Sequence, residues 1–299
     1  MYSEILNYLP SDRLLFKEEM KNHTTFKIGG PVDIMVLPQD EEDVATVVSF
    51  CRQRDIPLFI FGVGSNLLVR DRGIRGVAMK LGENLDEVEV NGDQIQAQAG
   101  VKISALARIA AFHSLSGLEF AEGIPGSLGG ALVMNAGAYD GEMQGIVTAT
   151  RAIGPDGSIK TFKNEEMQFG YRRSIFQSNG YIIIYATLKL ATGNRNEIEQ
   201  RMLEFARRRE EKQPLDKPSA GSTFRRPPGF YVGPMLEELG LKGYQIGDAQ
   251  VSSKHAGFII NNGNATARDV LELIAYIQQK AKERFGVDLQ PEIRVVGQD

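Results

Sequence analysis

The stretch EGIPGSLGGALVMNAGAY occupies residues 122–139 and constrains the fold more than any other part of the chain. Its first half contains Gly123, Gly126, Gly129 and Gly130. Folding costs glycine more conformational entropy than any other residue, so a cluster of glycines needs a physical reason, such as close approach of the backbone to another molecule. The stretch therefore predicts a loop whose backbone contacts a ligand.

A second glycine-containing loop, GVGSN at 62–66, follows the apolar run PLFIF at 57–61. Its glycines allow backbone N–H groups to approach an anion, and its serine and asparagine add side-chain donors. A Rossmann loop would have glycine at 67 and then a helix, but Leu67 opens another apolar, strand-like run. Taken alone, the loop is explained equally well as an anion-binding loop or as a plain turn.

The composition narrows the class of protein. The chain has 299 residues, 42% of them hydrophobic, and a net charge of −4, which excludes a protein built to coat a nucleic acid. One cysteine can form neither an internal disulfide nor a cysteine-based metal centre, and the three histidines show no metal-ligand spacing. No apolar run reaches the roughly 20 residues of a membrane helix. We therefore expect a cytoplasmic, monomeric protein without metal, nucleic-acid or membrane partners.

Hydrophobic periodicity predicts an α+β chain. Helices are predicted at 41–54, 102–115, 196–212 and from Thr266 onward, where Thr266 and Asp269 have the spacing of a capping box. Strands are predicted at 57–61, at 86–90 and 94–98 around Asn91-Gly92, on both sides of Pro155-Asp156-Gly157, at 181–191 and at 287–297. The last strand could belong to either half of the chain.

Separate motifs, in order along the chain, resemble the UDP-N-acetylenolpyruvoylglucosamine reductase (UDP-N-acetylmuramate dehydrogenase) family in its shorter, type II form. The matching segments are NHTTFKIGG (22–30), GVGSN (62–66), EGIPGSLGGALVMNAGAY (122–139), YRRSIF (171–176), AGSTFRRP (220–227) and PEIRVVG (291–297). The resemblance implies an α+β fold with a vanillyl-alcohol-oxidase (PCMH) type FAD-binding domain of two α+β subdomains and a smaller C-terminal α/β substrate-binding domain. It places the FAD-binding region at 1–195, with subdomains at about 20–80 and 81–195, the substrate-binding domain at 200–286, and a C-terminal strand with a catalytic glutamate at 287–299.

The resemblance implies that FAD lies along the two glycine loops, with backbone N–H groups holding its pyrophosphate. Some relatives attach FAD through a histidine in the first loop; here Ser65 and Asn66 stand in that loop, so we expect non-covalent FAD. The predicted cofactor-binding residues are Gly62, Val63, Gly64, Ser65, Asn66, Leu67, Gly123, Ile124, Pro125, Gly126, Ser127, Gly129, Gly130 and Ala131.

The implied activity is the reduction of UDP-N-acetylglucosamine enolpyruvate to UDP-N-acetylmuramate, a step of peptidoglycan precursor synthesis, with NADPH as co-substrate. Hydride passes from flavin N5 to C3 of the enolpyruvyl group, and C2 is protonated. Three residues match the family's catalytic positions: Arg172 polarises the substrate carboxylate, Ser222 protonates C2, and Glu292 assists, either protonated or through water. Thr223 is the rival of Ser222 for the proton donor.

Substrate binding is assigned to Tyr171, Arg225, Arg226 and Lys254, each of which could equally be a solvated surface residue. Three alternative functions remain at this stage. They are an FAD-linked oxidoreductase of the same fold with another substrate, a flavin-carrying subunit of a larger enzyme, and a non-enzymatic flavin-binding module. Each of these would keep the two glycine loops. None of the three would need the three catalytic motifs.

Overall fold

The computed structural model describes residues 2–82 and 84–299, and they form two compact units. The first unit contains residues 2–16, 34–63, 76–82 and 84–208, and the second contains 17–33, 64–75 and 209–299. Residues 17–33 and 64–75 thus group with the C-terminal part of the chain, although they are distant from it in sequence. The functional boundaries at 195 and 200 stay a prediction.

The α-helices are α1 (Glu41–Gln53), α2 (Ile103–Phe112), α3 (Leu128–Val133), α4 (Arg195–Lys212), α5 (Val232–Glu238) and α6 (Ala267–Phe285). The strands are β1 (Leu14–Phe16), β2 (Val32–Val36), β3 (Leu58–Phe61), β4 (Leu67–Val69), β5 (Ile74–Lys80), β6 (Val88–Asn91), β7 (Gln94–Gln98), β8 (Leu115–Ser116), β9 (Gly137–Ala138), β10 (Gly141–Glu142), β11 (Val147–Ile153), β12 (Ile159–Lys163), β13 (Ile182–Lys189), β14 (Ala191–Thr192), β15 (Ser219–Ser222), β16 (Gln245–Ile246), β17 (Ala249–Val251), β18 (Phe258–Asn261) and β19 (Arg294–Val296). Short 3₁₀ helices lie at Tyr2–Asn7, Ser11–Arg13, Met20–His23, Glu119–Ala121, Met143–Gly145, Asn164–Met167 and Ile175–Gln177.

The described part of the first unit contains two larger sheets and two two-stranded pairs, β9 with β10 and β8 with β14. One of the larger sheets has the strand order β1-β2-β5-β3, with β3 and β5 parallel, and the other is an antiparallel sheet of order β12-β11-β13-β7-β6. Helix α1 buries Val44, Val47, Val48 and Cys51, the apolar stripe that its sequence predicts. Helix α2 likewise buries Ile103, Leu106, Ala107 and Ala110 against the five-stranded sheet's core cluster.

The second unit is built on an antiparallel sheet of order β15-β18-β17-β16 and a separate parallel pair, β4 with β19. Helix α6 begins with the predicted capping box, in which the Thr266 hydroxyl accepts from the Asp269 N–H at 3.1 Å and the Asp269 carboxylate accepts from the Thr266 N–H at 2.9 Å. Its apolar face packs into the core that contains Phe224, Leu236 and Ile259. This core positions the segment around residue 222.

The predicted helices and strands are confirmed except for the last strand, and the structure adds further strands and two short helices that were not predicted. The predicted strand at 287–297 is wrong in length, because the strand covers only Arg294–Val296 and Pro291 forms an isolated bridge with Phe224. One unpredicted short helix, α3, lies in the Gly-rich stretch 117–141, and another, α5, begins at the end of the Gly/Pro-rich stretch 218–234. Glycine and proline oppose helix formation locally, so tertiary packing of the apolar side chains in these segments outweighs the local preference.

Within residues 2–82 and 84–299, no helix combines the length and the apolar character that crossing a membrane requires. The same residues contain no group of three or more His, Cys, Asp or Glu side chains arranged to hold a metal ion.

Candidate active site

The two glycine loops meet at Gly62 and Ser127, both in the first unit. A Cβ atom on Gly62 would collide with the Ser127 hydroxyl oxygen, so only glycine permits this approach. Ser127 is buried, and hydrogen bonds on either side hold it beside the start of α2: Ile103 N–H donates to the Gly126 carbonyl at 2.9 Å, and Leu128 N–H to the Val101 carbonyl at 2.8 Å. Gly62 thus serves the close contact between the two loops.

Both loops carry backbone donors that the fold does not use. Within the described residues, the N–H groups of Val63, Gly64 and Ser65 donate no hydrogen bond, and neither do those of Gly126 and Ser127. Unpaired N–H groups on glycine-containing backbone are suited to the oxygen atoms of a phosphate. Each loop therefore fits the pyrophosphate of a dinucleotide, the part of FAD that the sequence assigns to it.

Arg172 lies in a tight turn of the first unit. Gly170 and Arg173 exchange both of their backbone hydrogen bonds, each at 3.0 Å, and Arg172 between them adopts a left-handed backbone with φ +54°. The guanidinium lies 5.2 Å from the centroid of the exposed Tyr171 ring. A left-handed conformation costs a non-glycine residue about 1–2 kcal/mol, so the surrounding contacts must maintain it.

Ser222 and Thr223 differ sharply in environment. Ser222 ends β15 with its side chain exposed, and in the described part of the chain its hydroxyl has no hydrogen-bond partner. Thr223 is only 2% exposed, and its hydroxyl accepts from the buried Ile259 N–H at 3.1 Å. Neighbouring residues of a strand face opposite sides, so one hydroxyl is available to a ligand while the other is bound within the core.

The backbone just before Ser222 has an irregularity that helps to orient it. The pairing of β15 with β18 shifts between Ser219 and Ser222, and Gly221 in that interval has φ +78°. A Cβ atom on Gly221 would meet no atom within 4 Å, so glycine is needed here for its backbone conformation and not for space. Such a bulge changes the direction in which the next side chain points.

Glu292 lies next to the Ser222 segment within the second unit. Its N–H donates to the Thr223 carbonyl at 2.8 Å, and its carbonyl accepts from the Asn66 side-chain amide at 3.2 Å. The Asn66 carbonyl in turn accepts from the Arg294 N–H at 2.8 Å. The fold thereby joins the end of the first glycine loop, the strand with Glu292 and the strand with Ser222.

A neutral histidine lies beside the Ser222 strand. Gly257, two residues after His255, accepts a hydrogen bond from the Thr223 N–H at 2.9 Å. The His255 Nδ1 atom accepts from the Gly257 N–H at 3.0 Å, and burial lowers the pKa of the imidazole. The ring is therefore neutral near neutral pH and adds no positive charge to this segment.

The predicted substrate-binding residues lie on the surface in separate surroundings. Tyr171, Arg225, Arg226 and Lys254 are exposed. The Arg226 guanidinium stacks 3.7 Å from the centroid of the Tyr231 ring, and the Lys254 ammonium donates to the Glu210 carbonyl at 2.5 Å. Of the predicted catalytic residues, the structure brings Ser222 and Glu292 together in the second unit, whereas Arg172 belongs to the first.

Comparisons with known proteins add to this geometry. The family model described as "UDP-N-acetylenolpyruvoylglucosamine reductase, C-terminal domain" matches residues 213–296, and that of an FAD binding domain matches residues 32–163. The UDP-N-acetylenolpyruvoylglucosamine reductase of Syntrophomonas wolfei is 58% identical over 299 residues, which cover 100% of both chains. The chain belongs to the UDP-N-acetylenolpyruvoylglucosamine reductase family.

Solved structures agree with this membership. The reductase of the same name from Thermus caldophilus superposes with a TM-score of 0.82 at 34% identity, over 95% of this chain and 98% of that one. A variant of Phl p 4, described as a glucose oxidase, has a TM-score of 0.50 at 12% identity, over 65% of this chain and 44% of the other. The second similarity shows the fold alone.

Membership in the reductase family confirms several predictions from the sequence. The family itself, the fold class with its oxidase-type FAD-binding domain, the FAD cofactor and the assignment as an oxidoreductase are all confirmed. It also argues against the carrier subunit and the non-enzymatic module, because the full length of the chain matches an enzyme. The individual site residues stay predictions.

One buried residue of the site was not singled out from the sequence. Asn135 is 1% exposed, and its amide nitrogen donates to the Gly170 carbonyl at 3.1 Å and to the Glu142 carboxylate at 3.2 Å. Its oxygen accepts from the Gln144 N–H at 2.9 Å. The available signal was a lone amide within the small and apolar run VMNAGA, since a buried amide requires partners.

Proposed function

We propose that this protein catalyses the NADPH-dependent reduction of UDP-N-acetylglucosamine enolpyruvate to UDP-N-acetylmuramate, with FAD bound non-covalently. The observation that carries the proposal is the arrangement around Thr223. Its buried hydroxyl faces the core, its neighbour Ser222 is exposed, and its carbonyl is bonded to the backbone of Glu292. Two predicted catalytic residues from distant parts of the sequence thereby meet on adjacent segments.

FAD, when bound, supplies the hydride chemistry that no amino-acid side chain provides. Loops 62–67 and 123–131 of this chain would hold it. The unused backbone donors of Val63, Gly64 and Ser65, and of Gly126 and Ser127, support binding of its phosphate oxygens. Ser65 and Asn66 provide no imidazole for a covalent link to the flavin, which supports non-covalent binding.

Arg172 would bind the carboxylate of the enolpyruvyl group. Hydride addition at C3 leaves negative charge at C2, and this charge spreads into the carboxylate. A guanidinium is permanently charged and presents its N–H donors as a planar fork that matches two carboxylate oxygens. Because the charge on those oxygens grows during the reaction, the interaction stabilises the transition state more than the ground state.

Ser222 would give its hydroxyl proton to C2, and Glu292 would assist next to it. A serine hydroxyl is a weak acid, but the carbon that it protonates is strongly basic, so a well-oriented hydroxyl suffices. Glu292 reaches this position because its own N–H is bonded to the Thr223 carbonyl at 2.8 Å. To stabilise an anion, its side chain must be protonated or must act through a water molecule.

The UDP portion of the substrate would be bound by exposed cationic and aromatic side chains. Arg225, Arg226 and Lys254 of the second unit and Tyr171 of the first remain the proposed set. Arg226 is favoured by its stacking on Tyr231, which preorganises the guanidinium for a phosphate. We also propose a cytoplasmic monomer; light scattering after size-exclusion chromatography tests the oligomeric state.

An anaerobic titration observed at the flavin absorbance band tests the function. NADPH is added until the flavin is bleached, and UDP-N-acetylglucosamine enolpyruvate is then added. Bleaching followed by full recovery of the oxidised spectrum supports both half-reactions and the substrate. Bleaching without recovery would overturn the proposed substrate, and no bleaching would overturn the role of NADPH. Flavin that stays with the chain after acid denaturation would overturn non-covalent binding.

A further inference from the structure

The turn that carries Arg172 is held by side chains that follow it in sequence. Gln177 ends the short 3₁₀ helix Ile175–Gln177, and its side chain returns to the turn. Its amide nitrogen donates to the carbonyl of Arg172 itself at 3.0 Å. The left-handed backbone of Arg172 is thus stabilised by a direct hydrogen bond from a residue that no catalytic motif includes.

The same amide nitrogen also joins the turn to a helix. It donates to the Val133 carbonyl at 3.1 Å, and Val133 is the last residue of α3. A primary amide has two N–H donors, which suit these two carbonyls, and the weakly accepting Met134 Sδ atom lies 3.5 Å from the same nitrogen. Helix α3 begins directly after Ser127 of the second glycine loop, so Gln177 links the Arg172 turn to the far end of the helix that follows this loop.

We infer that Gln177 is a positioning residue, which holds the guanidinium of Arg172 in the orientation that the reaction requires. The inference rests on the role proposed above for Arg172. Without the amide, the turn loses the hydrogen bond to the Arg172 carbonyl, and the strained left-handed backbone can relax toward ordinary angles. Such a change at the base of a long side chain displaces the guanidinium at its end.

Ser174 provides a matched comparison within the same segment. Its hydroxyl donates to the same Val133 carbonyl at 2.9 Å, but neither of its described hydrogen bonds reaches Arg172. Ser174 is 2% exposed, so its loss removes a buried hydrogen bond that anchors the segment to α3. Comparing variants of the two residues therefore distinguishes the effect of anchoring the segment from the effect of positioning Arg172.

Gln177→Leu, Ser174→Ala and Arg172→Ala are compared in full-length, FAD-loaded protein by rapid-mixing spectroscopy. Flavin reduction by NADPH and flavin reoxidation by UDP-N-acetylglucosamine enolpyruvate are measured separately. We expect Gln177→Leu to slow reoxidation about tenfold or more, because a displacement of about 1 Å can cost up to a hundredfold. The rate of flavin reduction by NADPH should stay within about twofold of that of the unsubstituted protein. A change this small is clearly distinct from the expected loss in reoxidation. Ser174→Ala should keep both rates.

Two further variants test the mechanism of the effect. Gln177→Lys keeps N–H donors at the end of a long side chain and should restore most of the reoxidation rate. In the double variant Arg172→Ala, Gln177→Leu, reoxidation should be no slower than in Arg172→Ala alone, since a positioning residue has no effect once its target is removed. Should Gln177→Leu not retain FAD, Gln177→Glu, which also lacks the amide donors, is measured with the same expectation.

Three results would overturn the inference. They are unchanged reoxidation in Gln177→Leu, equal slowing in Gln177→Leu and Ser174→Ala, and additive losses in the double variant. Failure of the proposed function is distinguishable, because the unsubstituted protein itself would then not be reoxidised by the substrate. If only the role of Arg172 were wrong, Arg172→Ala would reoxidise at the normal rate. A normal rate in Gln177→Leu together with a slow one in Arg172→Ala would reject the positioning role only.

Discussion

Removing the side-chain hydroxyls of two adjacent residues, one at a time, tests the proposed proton donor most directly. Ser222→Ala removes an exposed hydroxyl, and Thr223→Val removes a buried one while keeping the side-chain shape. The structure predicts opposite effects. Ser222→Ala should abolish product formation and leave stability unchanged, whereas Thr223→Val should lower stability and leave the chemistry nearly intact.

The magnitudes follow from the contacts. An exposed serine without a partner contributes within about 0.5 kcal/mol to stability, whereas loss of a positioned proton donor costs about 10²–10⁴-fold in rate. In Thr223→Val the Ile259 N–H, bonded at 3.1 Å in a strand that is buried throughout, loses its acceptor. A buried unsatisfied donor costs about 1–3 kcal/mol, which corresponds to a fall in melting temperature of several degrees.

Each variant is tested in two assays. The melting temperature is measured with FAD bound, and the rate of flavin reoxidation by substrate is measured after anaerobic reduction with NADPH. The rate of the NADPH reduction step serves as the internal control, since neither hydroxyl takes part in it. Ser222→Ala should be reduced normally and then stay reduced when substrate is added.

The reverse pattern would refute the reasoning. If Thr223→Val lost reoxidation and Ser222→Ala kept it, the exposed side of β15 would not face the reacting carbon. If Ser222→Ala also lost several degrees of melting temperature, its hydroxyl would have a structural role that the described contacts do not contain.

Two other predictions concern the first unit. Gly62→Ala places a methyl group against the Ser127 hydroxyl oxygen and should lower the FAD content of the purified protein. Gly145→Ala should not lower it, because a Cβ atom at that position meets no atom within 4 Å. FAD content is measured as flavin absorbance relative to protein absorbance, and equal content in both variants would contradict the assigned loop contact. Burial raises the pKa of the Cys51 thiol to about 11, so at pH 8 only about one molecule in a thousand carries the reactive thiolate. Ellman's reagent should therefore label the native protein slowly and the urea-unfolded protein at once. Rapid labelling of the native protein would mean that α1 opens readily.

Local patterns in the sequence were sufficient for most of the secondary structure. The apolar stripes of α1, α2 and α6 repeat at helical spacing, and each stripe is buried in the structure. The Asn91-Gly92 pair ends β6 and turns into β7, because glycine accepts the positive φ of +60° found at Gly92. In these elements local preference and tertiary packing agree.

The separated motifs, taken together, were also sufficient for the family, the cofactor and the list of candidate residues. No single glycine loop was decisive, since GVGSN alone is compatible with a plain turn. The order of six motifs along nearly the whole chain is much less frequent by chance than any one of them. The family and the FAD cofactor therefore follow from the sequence alone.

The tertiary structure decided which candidates meet and which side of a strand they occupy. Ser222 and Thr223 carry similar hydroxyls at adjacent positions, and only the core behind β15 determines that Thr223 points inward and Ser222 outward. The parallel pairing of Arg294–Val296 with Leu67–Val69 connects segments more than two hundred residues apart, and no local pattern encodes it. Periodicity specifies which residues within an element share a face, but the partner of that face is set by packing between elements distant in sequence.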